Sequence, residues 1–120
     1  MNSDAIRFLG LMKRAGALCI GETNTGSAAR AGKTAIILLA KDASSNAVKR
    51  AEGFSLRGSC DAAVLEYTKE ELSSFLGTPG CSMMAITDRG FAEAFRKKYS
   101  TAFRINNRRI IHGTYKIQSE

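Results

Sequence analysis

The chain has 120 residues, 44% of them hydrophobic and 24% charged, with a formal net charge of +7. That composition argues against global disorder, and the length suffices for one domain with a core that needs no disulfides. No apolar stretch approaches the roughly 20 residues of a membrane helix, and the start, MNSDAIRFLG, lacks the cationic head and apolar middle of a secretion signal; a cytoplasmic protein with no membrane partner is expected.

Ser3 or Asp4 is a candidate cap for a first helix reaching about Ala15, because Phe8, Leu11, Met12 and Ala15 repeat at the spacing of one buried face. Gly16 ends it, and Leu18-Cys19-Ile20 reads as a short strand. Gly21 opens a second helix to about Ala31, whose small residues Ala28, Ala29 and Ala31 permit close packing on a sheet. Thr34 to Ala40 is a nearly continuous apolar run, which predicts a central strand covered on both faces. Asp42 or Ser44 caps a third helix holding Ala47, Val48 and Ala51, which Gly53 weakens. Ala62 to Tyr67 is the next strand. Thr68-Lys69-Glu70-Glu71 has the form of a capping box, in which hydroxyl and carboxylate satisfy first-turn amides reciprocally, ahead of a helix burying Leu72, Phe75 and Leu76. After the turn Gly77-Thr78-Pro79-Gly80 come a strand, Cys81 to Ile86, and a last helix capped by Thr87 or Asp88, with Phe91, Ala94 and Phe95 on one face. The basic Arg96-Lys97-Lys98 complements that helix's negative end.

Strands alternate with helices, so the expected fold is α/β: a three-layer α/β/α sandwich with a small mixed central sheet. Residues 1–99 form this domain and 100–120 a basic C-terminal tail. In the tail Phe103/Ile105 and Tyr115/Ile117 alternate with polar residues, which leaves open a marginal strand or hairpin and an extended arm.

Charge is unevenly placed. Residues 1–95 are close to neutral, whereas Arg96, Lys97, Lys98, Arg104, Arg108, Arg109 and Lys116 face only Glu120 in the remainder. Clustered positive charge suits a polyanion, since each phosphate contact releases counterions; a solvated tail explains the same charges without a ligand. Cys19, Cys60 and Cys81 make no C-x-x-C pair and fit reduced thiols, with Cys19 packing as a small apolar side chain. With one histidine, His112, in the tail, neither a metal site nor a catalytic triad assembles from these residues, so no metal, cofactor or enzymatic role is expected.

Gly32-Lys33-Thr34 invites comparison with a phosphate-binding loop. The first glycine of that motif would fall at Ser27, with Gly26 one residue too early, and the strand follows the Gly-Lys-Thr where it should precede it. A helix stop at Gly32, with Lys33 beside the helix's negative end, accounts for the triplet.

Leu9-Gly10-Leu11, Arg14-Ala15-Gly16, Gly21-Glu22, Gly32-Lys33, Leu38-Leu39-Ala40 with Asp42-Ala43-Ser44, Thr68 to Leu72, and Thr87-Asp88 with Gly90-Phe91 occur in this order along residues 4–99. In that order and spacing the chain resembles the ribosomal L-seven-Ae superfamily of kink-turn RNA-binding proteins, particularly its bacterial YlxQ-like branch. The resemblance implies an α/β/α fold that binds structured RNA, such as ribosomal RNA or a kink-turn, without catalysis. It also implies that the turn and first residues of the second helix touch bent RNA, aided by the loop before the last core strand. The residues carried over are Gly21, Glu22, Thr23, Asn24, Thr25 and Ser27, then Lys33 and Lys41, then Cys81, Ser82 and Met83. The family's Gly-x-Asn-Glu-x-x-Lys reads here Gly21-Glu22-Thr23-Asn24-Thr25-Gly26-Ser27. Ser27 in place of the lysine removes a phosphate contact, Glu22 adds repulsion, and Lys41 replaces a frequent acid. Ordinary helix capping would also account for Thr23, Asn24, Thr25 and Ser27. The rival to RNA binding is a module that docks proteins of the ribosome or RNA machinery, motivated by Ile110, Ile111, Tyr115 and Ile117 in the basic tail.

Overall fold

The computed structural model describes residues 3–98 and 103–105. Five helices alternate with strands in the order α1 (Ser3–Arg14), β1 (Leu18–Ile20), α2 (Glu22–Arg30), β2 (Ile36–Leu39), α3 (Ser45–Gly58), β3 (Asp61–Leu65), α4 (Lys69–Leu76), β4 (Met83–Ile86), α5 (Arg89–Lys98) and β5 (Phe103–Ile105). The sheet has the strand order β1-β4-β2-β3-β5. It is mixed: β2 and β3 run parallel with α3 as their crossover, while β4 runs antiparallel to both β1 and β2. β5 pairs antiparallel with β3, Leu65 opposite Phe103 and Ala63 opposite Ile105. The sheet therefore extends past the expected domain boundary at residue 99. The rest of the expected tail, 106–120, lies outside the described residues.

β2 is the centre. Ile36, Ile37, Leu38 and Leu39 are all fully buried, because successive strand side chains point to opposite faces and both faces carry helices. Ile36 and Leu38 join Ala63, Leu65, Met84 and Ile86 against Leu9 and Met12 of α1, Leu72 and Leu76 of α4, and Phe95 of α5. Ile37 and Leu39 join Ala62, Met83 and Ala85 against Ala47 and Ala51 of α3, with Phe54 at its margin. The three layers are thus α1/α4/α5, the sheet, and α2/α3.

Local signals set the ends. Gly32 (φ 71°) follows α2, its amide donating to Ala29 O at 3.0 Å and the Lys33 amide to Ala28 O at 2.8 Å. This paired arrangement is that of a Schellman stop, so Gly32-Lys33-Thr34 ends a helix and cradles no phosphate. The Thr68–Glu71 capping box forms with both bonds present. Ser44 caps α3 through the Ala47 amide at 3.1 Å, and Asp88 accepts from Phe91 N at 2.9 Å. Gly53 does not break α3, which runs through it to Gly58. Phe75, expected in the core, is 50% exposed, and so is Leu11 at 44%.

Leu38→Ala should cost about 2–5 kcal/mol, the range for emptying a well-packed aliphatic site, read from the midpoint of denaturant unfolding. A loss below about 1 kcal/mol would show that β2 is not the packed centre described.

Candidate nucleic-acid interface

Because β4 runs antiparallel to β1 and β2, the C-terminal ends of β1, β2 and β3 gather at one edge of the sheet. Three backbone bonds fasten this edge: Gly21 N to Met83 O at 2.8 Å, Ala40 N to Ser82 O at 3.0 Å, and Lys41 N to Tyr67 O at 2.9 Å. The turn before α2, the Gly80–Ser82 loop and the Ala40–Asp42 turn consequently adjoin one another. The N-termini of α2, α3 and α4 all open here, at the strand ends where α/β sheets generally offer ligand crevices.

Two of these helix starts are closed by the chain itself. Ser44 caps α3, Thr68 and Glu71 cap α4, and Asp42 Oδ1 accepts from the Lys69 amide at 2.9 Å. Asp42, a candidate cap for its own helix, thus serves the neighbouring one. The start of α2 differs: its N-cap is Gly21, at φ 103° and ψ 154°, which makes no side-chain cap bond to the first-turn amides. That backbone region is open essentially to glycine alone. A helix start without a side-chain cap leaves donors and the positive end of the macrodipole for an outside acceptor.

The expected contact residues divide. Thr23, Asn24 and Ser27 are exposed on α2, Lys41 is exposed beside it, and Gly21, Glu22 and Ser82 are partly accessible. The cap position is Gly21, so none of Thr23, Asn24 and Ser27 is the N-cap residue. Asn24 Nδ2 donates back to Ile20 O at 2.8 Å, which leaves its carbonyl oxygen as acceptor. Glu22 is not a free repulsive charge, since it holds Arg50 Nη1 at 3.1 Å.

Four expectations need correction. Thr25 is 0% exposed, because it lies on the face of α2 turned to the sheet beside the Cys19 thiol. Cys81 (1%) and Met83 (0%) are buried too: the Cys81 thiol turns inward to Thr78 O at 3.3 Å, and Met83 is a strand residue in the α2/α3 core. Their side chains offer nothing to a macromolecule; in the Cys81–Met83 stretch only Ser82 and backbone are accessible. Lys33 sits past the end of α2, before β2, whereas Lys41 follows β2. The two lysines flank opposite edges, separated by at least the roughly 13 Å of a four-residue strand. Arg96, counted above in the basic end, pairs with the nearly buried Asp61 at 3.0 Å and ties α5 to β3.

A cleft of about 640 Å³ lies at that opposite edge, among Thr34, Gly58, Cys60, Asp61, Glu93 and Arg96. Burial raises the Cys60 thiol above its ordinary value, against the opposing Thr34 hydroxyl, and burial raises Cys19 against the opposing Thr25 hydroxyl. Thiols held protonated are weak nucleophiles. Among the described residues no group of three His, Cys, Asp or Glu side chains is placed to hold a metal ion. No described helix is long and apolar enough to cross a membrane.

No family model matches the chain, and no curated protein matches it. Among solved structures, a Bacillus halodurans protein of unknown function is similar, with a TM-score of 0.71 and 21% identity over 80% of this chain and 96% of that one. At that identity the likeness concerns the fold.

Tyr67 is also raised by burial and by Glu66 and Glu71. Unfolding would return Cys19, Cys60 and Tyr67 to ordinary values of 9.0, 9.0 and 10.0, where the unfolded chain releases protons that the folded chain keeps. Their stabilising contribution is whole below pH about 9 and is lost as pH climbs through the folded values. The denaturant midpoint should therefore fall steadily above pH 9, and Cys19→Ala with Cys60→Ala should flatten that fall; an alkaline limb unchanged by the double substitution would contradict the assignment.

Proposed function

We propose that this protein is a non-catalytic RNA-binding protein that takes a bent, structured RNA against the Gly21 edge. The carrying observation is the open start of α2 beside helix starts that are closed: first-turn amides after Gly21 without a side-chain cap, flanked by exposed Thr23, Asn24, Ser27 and Lys41. Amides and short polar groups of this kind accept phosphate oxygens and unpaired base edges, and RNA folds are read chiefly by shape and unstacked bases. The resemblance to kink-turn binders, ribosomal in their best-known members, points the same way. Basic residues beyond residue 95 would add attraction independent of sequence.

A second reading, docking of a protein, rests on Leu11 and Phe75, exposed on the α1/α4 layer away from this edge. A pull-down unchanged by nuclease would favour it over RNA.

The test is filter binding of total RNA and of a kink-turn RNA across a salt series. Retention at low salt should fall steeply as salt rises. Lys41→Ala should lower the slope of log affinity against log salt by just under about one unit. Asn24→Ala should cost about 1 kcal/mol of affinity through its lost acceptor. Lys33→Ala, at the far edge, should leave both unchanged. No RNA held even at the lowest salt would end the reading.

A further inference from the structure

We propose that the cleft between α2 and α3 seats one unpaired nucleotide of the RNA taken up at the Gly21 edge, with the Glu22 carboxylate as the anion it displaces; this rests on the RNA-binding reading. The cleft, about 230 Å³, is lined by Glu22, Thr23, Gly26, Arg30, Arg50 and Phe54. It begins on the first turn of α2, so it continues the uncapped helix start. Pockets for drug-sized ligands run to about 300–1,000 Å³; this one is smaller and suits a single planar base with its phosphate at the rim.

Its walls have the chemistry a nucleotide requires. Phe54 offers a half-buried ring as a stacking surface. A β-carbon at Gly26 would lie 2.8 Å from Phe54 Cζ and 3.5 Å from Arg30 Nη1, so the ring and one guanidinium meet over bare backbone. Close helix packing by itself accounts for a glycine there. It does not account for a second guanidinium, Arg50, entering from α3. Arg50 is held by Glu22 at 3.1 Å, with their side chains 58% and 36% exposed. An exposed pair of this kind is held weakly, and a phosphate matches the guanidinium fork at least as well as a carboxylate does. In the free protein Glu22 therefore keeps Arg50 aimed into the cleft. On binding, a phosphate oxygen takes its place and Glu22 turns to solvent.

The experiment measures dissociation constants for a hairpin RNA with an unpaired bulge and for its bulge-free counterpart. The proteins are the wild type, Phe54→Leu, Arg30→Ala, Glu22→Gln and Asn24→Ala, each checked by thermal unfolding. Phe54→Leu should weaken the bulged RNA about fivefold or more, as loss of a base-stacking ring does, and leave the bulge-free RNA nearly unaffected. Arg30→Ala should weaken the bulged RNA as well. Glu22→Gln should tighten it about two- to fivefold at low salt, the gain shrinking as added salt screens the exposed charges. A 4-thiouridine in the bulge should crosslink to the peptide containing Arg50 and Phe54. Should Phe54→Leu fail to fold, the exposed substitutions Arg30→Ala and Glu22→Gln still decide. If Asn24→Ala weakens binding while Arg30→Ala, Glu22→Gln and Phe54→Leu all stay within twofold, the cleft assignment is overturned and the RNA reading survives. If neither RNA binds any of these proteins, both fall.

Discussion

The Gly21 edge exists because β2 is buried on both faces and paired on both sides. Ile36 to Leu39 bind β3 in parallel and β4 in antiparallel register. A parallel partner requires a crossover, which α3 supplies, and the crossover places the start of α3 and the exit of β3 at the same end. The antiparallel β4 then brings the Gly80–Ser82 loop to that end and orients β1 so that Gly21 leaves there too. Three helix starts and two loops share one edge as a consequence of pairing direction. Weakening the aliphatic contacts of β2 would loosen every one of those neighbours at once.

Given that geometry, the chain treats its helix starts unequally. Each carries the partial positive charge of aligned peptide dipoles and amides without helical partners. At α4 those amides are satisfied three ways, by Thr68, Glu71 and Asp42, and at α3 by Ser44. At α2 the residue in the cap position has no side chain to give, and its backbone adopts an angle that a replacement would strain. That conformation by itself fixes glycine at this position, even though Ser, Asp or Asn are the usual caps. The approach to the helix start consequently carries no side chain at Gly21, where a β-carbon would meet nothing within 4 Å.

Much of the fold could be read along the chain, since helix stops, caps and apolar periodicity are local. Gly16, Gly32 and Gly77 all take positive φ at helix exits, and the Thr68 box formed as written. Strand ends came out shorter than their apolar runs: Thr34–Ala40 contributes Ile36–Leu39 to the ladder, with Ala35 and Ala40 each adding one backbone bond beyond it. What could not be read was relation across the sheet. Lys33 and Lys41 stand eight positions apart in sequence, yet a strand carries them to opposite edges. Thr25 shares its polar type with Thr23 and Asn24 but falls on the inward side of the same turn. Asp42 serves α4, and Arg50 neutralises Glu22, through contacts separated by 27 and 28 residues. One local sign of the α2/α3 cleft was present: Arg50 and Phe54 are four apart and share a helical face, opposite a glycine placed inside a helix where glycine is unfavourable.

The two edges of the sheet collect different helix ends, and this bears on the proposed anion site. The Gly21 edge gathers the positive ends of α2, α3 and α4. The far edge receives the exits of α2 and α3 at Gly32 and Ser59, together with Asp61 and Glu93 around the larger cleft. Helix exits favour cations, and Arg96 already supplies one to Asp61. Side-chain charge does not separate the two edges, since Arg89 and Arg96 line the far cleft and the carboxylates of Glu22, Asp42 and Glu71 stand at the Gly21 edge; the helix start without a side-chain cap, beside exposed Lys41, does. Volume alone would choose the far cleft. Donor geometry favours the Gly21 edge for the proposed polyanion, because the start of α2 lacks the side-chain caps that α3 and α4 have.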